Sequence, residues 1–160
     1  MTNLLIEIIP DLHDNLPKID TAVERLNSLN VALILHAGDY CSPFAALRFQ
    51  GLRMKMVGVL GINDAERDLL KVRFESLGHE VSGGFSTVEF GHRIGLLHGD
   101  ELGLLSEIIR SQSYDLVISG YTHSVTQSRT GKQFRSIPVR CAATSVEERQ
   151  SQPSRRPRVE

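Results

Sequence analysis

At 160 residues the chain has the length of one domain able to bury its own core. Its 41% hydrophobic and 23% charged composition is that of an ordinary soluble protein, and a net charge of −1 argues against a nucleic-acid or acidic-membrane surface. No apolar run approaches the roughly 20 residues of a membrane span, no signal peptide precedes the first apolar run, and two isolated cysteines, Cys41 and Cys141, suit a reducing cytoplasm better than a disulfide framework.

The run Leu4 to Ile9, apolar except for Glu7, predicts a first strand, followed by a polar loop from Asp11 to Asn15. Pro17 suits the first turn of a helix, and Leu16, Ile19, Val23, Leu26 and Leu29 then recur at helical spacing. Val31 to Leu35 is a second strand, Pro43 to Gln50 a short helix, and Met54 to Leu60 a third strand ending at Gly61. Asp64 is placed to cap a helix running to Leu77, with Gly78 as its stop. Phe85 to Phe90 and Arg93 to Leu97 flank Gly91 and His92 as a hairpin. Glu101 to Gln112 is helical, Leu116 to Ser119 a strand, and Val125 to Ser128 with Gln133 to Ile137 a second hairpin. Strand and helix alternate in the first half, so its strands should be parallel. The later hairpins turn the expectation from a plain doubly wound sheet to a two-sheet sandwich with helices outside.

The apolar runs share one feature: Asp and His gather where they end. Asp11 and His13 follow the first strand, Asp39 follows Gly38 after the second, and His98 and His123 follow later ones. Ligands of open α/β sheets bind beyond the carboxyl ends of strands. Each short motif alone is weak; their repetition at successive strand ends reads as one metal site assembled across a sheet. Carboxylate and imidazole donors suit Mn, Fe, Ni or Zn more than Ca or Mg. His36 is read as a core residue that orients its loop, His79 and His92 as solvated, and Glu66, Arg67 and Asp68 as the polar face of a helix.

The order Asp-x-His, Gly-Asp, Gly-Asn-x-Asp, His-Gly, Gly-His-x-His resembles that of the calcineurin-like metallophosphoesterases, in particular their small bacterial and archaeal phosphodiesterase (YfcE-like) branch. The likeness runs from about Leu4 to Ile137. It implies an α/β fold, a four-layered α/β/β/α sandwich of mixed sheets, and a dinuclear centre that hydrolyses phosphate esters. One divalent ion (Mn, Ni, Fe or Zn) would take Asp11, His13, Asp39 and His123. A second would take Asp39, His98, an Asn after Gly61 and a His after Gly120. Here the chain departs from the pattern. Ile62 follows Gly61, with Asn63 one position late, and Tyr121 follows Gly120. Asn63 and Tyr121 are thus weak or substituted ligands, and Tyr121 would ligate only as a phenolate. His98 is also the candidate general acid or base.

The domain is expected to span residues 1–137, with 138–160 a disordered tail and the last sheet strand missing. Thr144 to Glu160 holds two valines, two prolines and four arginines, too little apolar surface to offset ordering. Codons can be chosen for Ile137 to Gln150 that, read one nucleotide earlier, give Asn-Pro-Gly-Glu-Val-Cys-Gly-Tyr-Leu-Ser-Gly-Arg-Ala-Thr, which resembles the family's continuation. The tail therefore reads as a frameshift product starting at or shortly before Arg135. The expected activity is metal-dependent hydrolysis of a small phosphate ester, a phosphodiester foremost, by a cytoplasmic protein that can pair as a homodimer. Competing readings are a degenerate member that binds metal or phosphate without turnover, and a product with no function.

Overall fold

Each short apolar run of the first half becomes a fully buried strand in a computed structural model of the chain, which describes residues 5–9, 12–29, 31–121, 126–129 and 139–141. β1 (Ile6–Ile9), β2 (Leu33–His36) and β3 (Met56–Val59) are buried along their whole length. β4 (Glu80–Ser82) extends this sheet, and β9 (Val139–Cys141) closes its other edge, in the order β4-β3-β2-β1-β9 with every pairing parallel. Strands buried on both faces need covering layers on each side.

A second sheet carries β5 (Phe85–Glu89), β6 (Arg93–Leu97), β7 (Leu116–Ser119) and β8 (Thr126–Arg129) in chain order. Its β6–β7 pair is parallel and its outer pairs antiparallel. Side-chain alternation divides each strand between two cores. Ile6, Ile8, Leu33, Leu35, Val57 and Val59 meet Val88, Ile94, Leu96, Leu116 and Ile118 between the sheets. The opposite face of the first sheet, through Ile9, Ile34 and Met56, packs on the helical layer. That layer holds α1 (Leu16–Ser28), α2 (Pro43–Leu47) with a following 3-10 turn, and α3 (Arg67–Ser76). The outer face of the second sheet, through Leu97 and Val117, packs on α4 (Leu102–Ser111) by way of Ile108. The result is the expected α/β/β/α sandwich.

Local signals explain the helix ends. Asn15 accepts the amide N–H of Lys18 at 3.1 Å and Pro17 occupies the first turn of α1. Ile19, Val23 and Leu26 then face the core. Gly78, at φ +81°, stops α3 as expected.

Four expectations need correction. The helix expected from Asp64 begins at Arg67, with Glu66 in the cap position and left-handed at φ +45°; Asp64 is drawn away by buried N–H groups described below. His79, read as solvated, is only 6% exposed. The turn at Gly78 folds it back so that its N–H donates to the Phe74 carbonyl, and its ring lies beneath the aromatic cluster. β4 was not foreseen, because Glu80, Val81 and Ser82 show no apolar run. Finally, the sheet edge expected to lack its last strand carries β9, whose Val139, Arg140 and Cys141 pair with Ile6, Glu7 and Ile8. These three residues belong to the stretch read as a disordered tail. Strand pairing uses backbone groups, so a segment poor in long apolar side chains can still supply it. Of the second expected hairpin, β8 is present and Gln133 to Ile137 lies outside the described residues. Among the described residues no helix is long and apolar enough to cross a membrane.

Candidate metal centre

β2 ends at His36, and the chain then turns through Ala37, Gly38 and Asp39. Gly38 sits at φ +103°, and a Cβ there would stand 2.8 Å from the Gly61 nitrogen and 2.9 Å from His98 Nδ1. Only glycine fits, because the loops after β2, β3 and β6 converge at this point. Asp39 itself is left-handed at φ +59°, a conformation costing an L-residue on the order of 1 kcal/mol or more. Backbone bonds hold it: its carbonyl accepts from the His13 N–H at 3.0 Å and its own N–H donates to Asp64 Oδ2 at 3.2 Å.

Asp64 is the knot of these loops. Its buried carboxylate accepts three backbone N–H groups, from Gly61 at 2.6 Å, Cys41 at 2.7 Å and Asp39 at 3.2 Å. Burial raises its pKa above the ordinary carboxyl value, against the lowering effect of the bonds from Gly61 and Cys41. Arg67, expected only to face solvent, reaches back to donate to the Gly61 carbonyl at 2.8 Å. Asp64, expected to cap a helix, instead ties these loops together as the final residue of the Gly-Asn-x-Asp pattern.

Both oxygens of the Asp39 carboxylate accept a hydrogen bond and keep further acceptor capacity. Oδ1 accepts the Asn63 backbone N–H at 3.0 Å, and Oδ2 accepts the Asn63 side-chain amide at 2.8 Å. Asn63 therefore reaches Asp39 despite its late position. The loop absorbs the offset by turning Ile62 outward, where it is 58% exposed. Gly61 approaches so closely that a Cβ there would overlap the Asp39 carboxylate.

His98 arrives from the other sheet, at the end of β6. It is buried, and its Nδ1 lies 2.8 Å from the Ala37 carbonyl oxygen, which places the proton on Nδ1. Nε2 then faces Asp39 Oδ2 at 3.5 Å. Fixing one ring nitrogen on a carbonyl so that the other presents its lone pair is the usual support of a metal-binding histidine. Tyr121 follows β7: its N–H donates to the His98 carbonyl at 2.9 Å, and its ring stands edge-on to the imidazole at 5.7 Å. His13, at φ +48°, enters from the loop after β1 with Nδ1 3.3 Å from Cys41 Sγ.

Of the expected site residues, Asn63 and His98 lie against the Asp39 carboxylate, Tyr121 lies against His98, and His13 is joined to Asp39 through a backbone hydrogen bond. Asp11 and His123 lie outside the described residues. Among the described residues no group of three or more His, Cys, Asp or Glu side chains converges closely enough to hold an ion. The donors that do meet, a buried carboxylate, an oriented imidazole and a carboxamide, are of the kind that fits a divalent transition ion. His36 stays apart from this chemistry. It is buried and stacked on Tyr40 at 4.1 Å, and its Nδ1 accepts the Gly38 N–H at 3.1 Å. Burial holds its pKa down at about 3, so it remains neutral and braces the loop, as expected.

A parallel sheet facing a mixed one, with a carboxylate and an imidazole meeting at their strand ends, is the arrangement expected of a metallophosphoesterase, a phosphoric ester hydrolase. The chain belongs to the calcineurin-like phosphoesterase superfamily, whose domain model matches residues 4–146. It is 36% identical over 120 residues to phosphodiesterase MJ0936 of Methanocaldococcus jannaschii, a match covering 74% of this chain and 72% of that protein. A solved structure described as a novel archaeal phosphodiesterase superposes with a TM-score of 0.71 at 32% identity, covering 85% of this chain and 81% of the other. Wild-type Vps29 of Entamoeba histolytica, solved with zinc, shares the fold at a TM-score of 0.53 and 18% identity, covering 86% of this chain and 76% of that one.

Proposed function

We propose that this protein hydrolyses a small phosphate ester, a phosphodiester foremost, in a reaction that depends on divalent metal. The observation that carries the reading is the pair His98 Nε2 and Asp39 Oδ2, 3.5 Å apart though they come from opposite sheets. The name of the archaeal relative supports a diester over a monoester.

Asp11, His13, Asp39 and His123 would hold one ion, and Asp39, His98 and Asn63 a second. Mn, Ni, Fe and Zn fit such donors. When bound, divalent ions polarise a phosphoryl oxygen and lower the pKa of water at the site. The remaining work belongs to the side chains. Asn63 anchors both oxygens of Asp39 and limits its rotation. Ala37, through its carbonyl, keeps the His98 proton on Nδ1. His98 Nε2 has two roles that exclude each other: with its lone pair committed to an ion it is a ligand, and otherwise it can carry the proton needed by the leaving oxygen. Tyr121 at 5.7 Å from the His98 ring contributes an aromatic edge; ligation would require its phenolate.

The second centre is the weaker one in this reading, because Ile62 offers no donor. That observation favours one alternative, a family member that binds metal or phosphate without turnover. The protein would act in the cytoplasm, as its isolated cysteines suggest, and alone or as a homodimer; its net charge of −1 favours a small substrate over nucleic acid. Metal analysis of the purified protein, run with Mn- or Ni-supplemented hydrolysis of bis(p-nitrophenyl) phosphate, separates the readings. Turnover that vanishes in Asp39→Asn supports the enzyme. Bound metal with no turnover supports the binding protein.

A further inference from the structure

Two non-glycine residues beside Asp39 hold a left-handed backbone and meet through their side chains. His13, after β1, sits at φ +48°, and Cys41, after β2, at φ +70°. His13 Nδ1 lies 3.3 Å from Cys41 Sγ. Such strained conformations persist only where the surroundings impose them, and they cluster at functional sites. Here the bonds that impose them run through the backbone. The His13 N–H donates to the Asp39 carbonyl at 3.0 Å. The Cys41 N–H donates to Asp64 Oδ1 at 2.7 Å, and its carbonyl accepts the Ala65 N–H at 3.0 Å. One residue further along both loops, Asp14 Oδ1 accepts the Ser42 N–H at 3.0 Å and the Ser42 hydroxyl at 2.7 Å. The two loops are thus tied together independently of the Cys41 sulfur.

A neutral imidazole carries its proton on one nitrogen and a lone pair on the other. A histidine that holds an ion gives it the lone pair, and an acceptor on the opposite nitrogen fixes the ring and its tautomer. His98 has that acceptor in the Ala37 carbonyl. Against His13 the same place is taken by a sulfur. Resting on the reading of His13 as a metal ligand, we propose that Cys41 is a positioning residue for it. The sulfur accepts the Nδ1 proton of His13, and Nε2 is thereby the nitrogen presented to the divalent ion. Cys41 itself is neither ligand nor nucleophile. A thiol sulfur is a weak acceptor, so its effect falls at the low end for such a support. Because both loops are held by other bonds, loss of the sulfur releases the ring and leaves the loops in place.

The test separates the ligand from its support. Mn(II) affinity is read from the paramagnetic resonance of the free ion in the native protein, His13→Ala, Cys41→Ala and Cys41→Ser. Cys41→Ala should lower it roughly tenfold, and His13→Ala should lower it further. Cys41→Ser keeps a polar atom against the ring and should recover most of the loss. In the metal-free protein, nitrogen NMR of labelled imidazoles should find the His13 proton on Nδ1, and Cys41→Ala should mix the tautomers while the urea midpoint stays near the native value. A merely structural cysteine would move the midpoint and not the tautomer. Native affinity in Cys41→Ala, or a proton on Nε2 of His13 in the native protein, overturns the positioning role and leaves His13 as a ligand. Native affinity in His13→Ala, or no binding by the native protein, removes the ligand reading and the positioning role with it. A sulfur-to-metal charge-transfer band in the Co(II)-loaded protein that Cys41→Ala abolishes would make Cys41 a ligand and overturn the proposal too.

Discussion

The side-chain amide of Asn63 lies 2.8 Å from Asp39 Oδ2, although Asn63 stands one position later than the family's pattern places its ligand. The slip is accommodated by a loop in which Ile62 turns to solvent and Asp64 anchors the far side. Metal retention should therefore depend on Asn63 and not on position 62. Asn63→Ala should lower the affinity of the second ion by roughly 10- to 100-fold, the range seen when a group supporting a metal ligand is lost. Ile62→Asn alone should add little. Titration against a chelator, with metal analysis of each variant, checks both; a second ion gained in Ile62→Asn would show that the slip is not compensated.

Asp64 should matter for stability as much as for activity. Asp64→Ala leaves the buried N–H groups of Gly61, Cys41 and Asp39 without their acceptor. The expected loss is at least about 1–3 kcal/mol in urea unfolding, with kcat/KM falling as the left-handed turn at Asp39 loosens. Asp64→Asn retains one acceptor oxygen and should lie between the native protein and the alanine variant.

Stability should fall with acid earlier than carboxylate chemistry would require. The His36 pKa is lowered from 6.5 to about 3 by burial, so the unfolded chain takes up a proton that the native state refuses. This contribution is complete above pH 6.5 and is lost progressively as pH falls towards 3. Burial lowers His79 as well, in the same sense. Asp64, shifted up, works the other way at lower pH, since protonation relieves a buried charge. The unfolding free energies from urea titrations at about pH 7.5 and about pH 5 should differ by about 2 kcal/mol from His36 alone, and His36→Gln should reduce that difference. An unchanged slope in the variant would assign the acid sensitivity elsewhere.

How far these features could be read in advance depended on what each segment announces by itself. β1, β2 and β3 are short apolar runs, and Asp39 and His98 follow directly from where such runs end. The sandwich emerged from strand–helix alternation followed by hairpins. The misplacements came from tertiary contacts. Asp64 has the composition of a helix cap, and only the convergence of three buried N–H groups diverts it. His79 looked like a loop residue because nothing local shows that Gly78 folds it under Phe74. The role of Asn63 depends on a loop path, which residue order alone does not specify. β9 rests on backbone pairing with β1, which leaves no apolar signature.

The frameshift reading of the tail makes its own prediction. The gene, read one nucleotide earlier across the codons for residues 137–150, should encode Asn-Pro-Gly followed by a family-like segment. A stop codon or unrelated residues in that frame would remove the idea. Pairing of Val139–Cys141 with β1 is compatible with either frame, since it runs through the backbone.

The most direct measurement is the rate of bis(p-nitrophenyl) phosphate hydrolysis by the native protein and by Asp39→Asn, with bound metal counted in each. Turnover should appear with Mn or Ni, cease with a chelator, and fall by more than roughly a hundredfold in the variant together with its metal content. Turnover that persists with the chelator, or that Asp39→Asn leaves unchanged, would contradict a metal centre organised on Asp39 and His98.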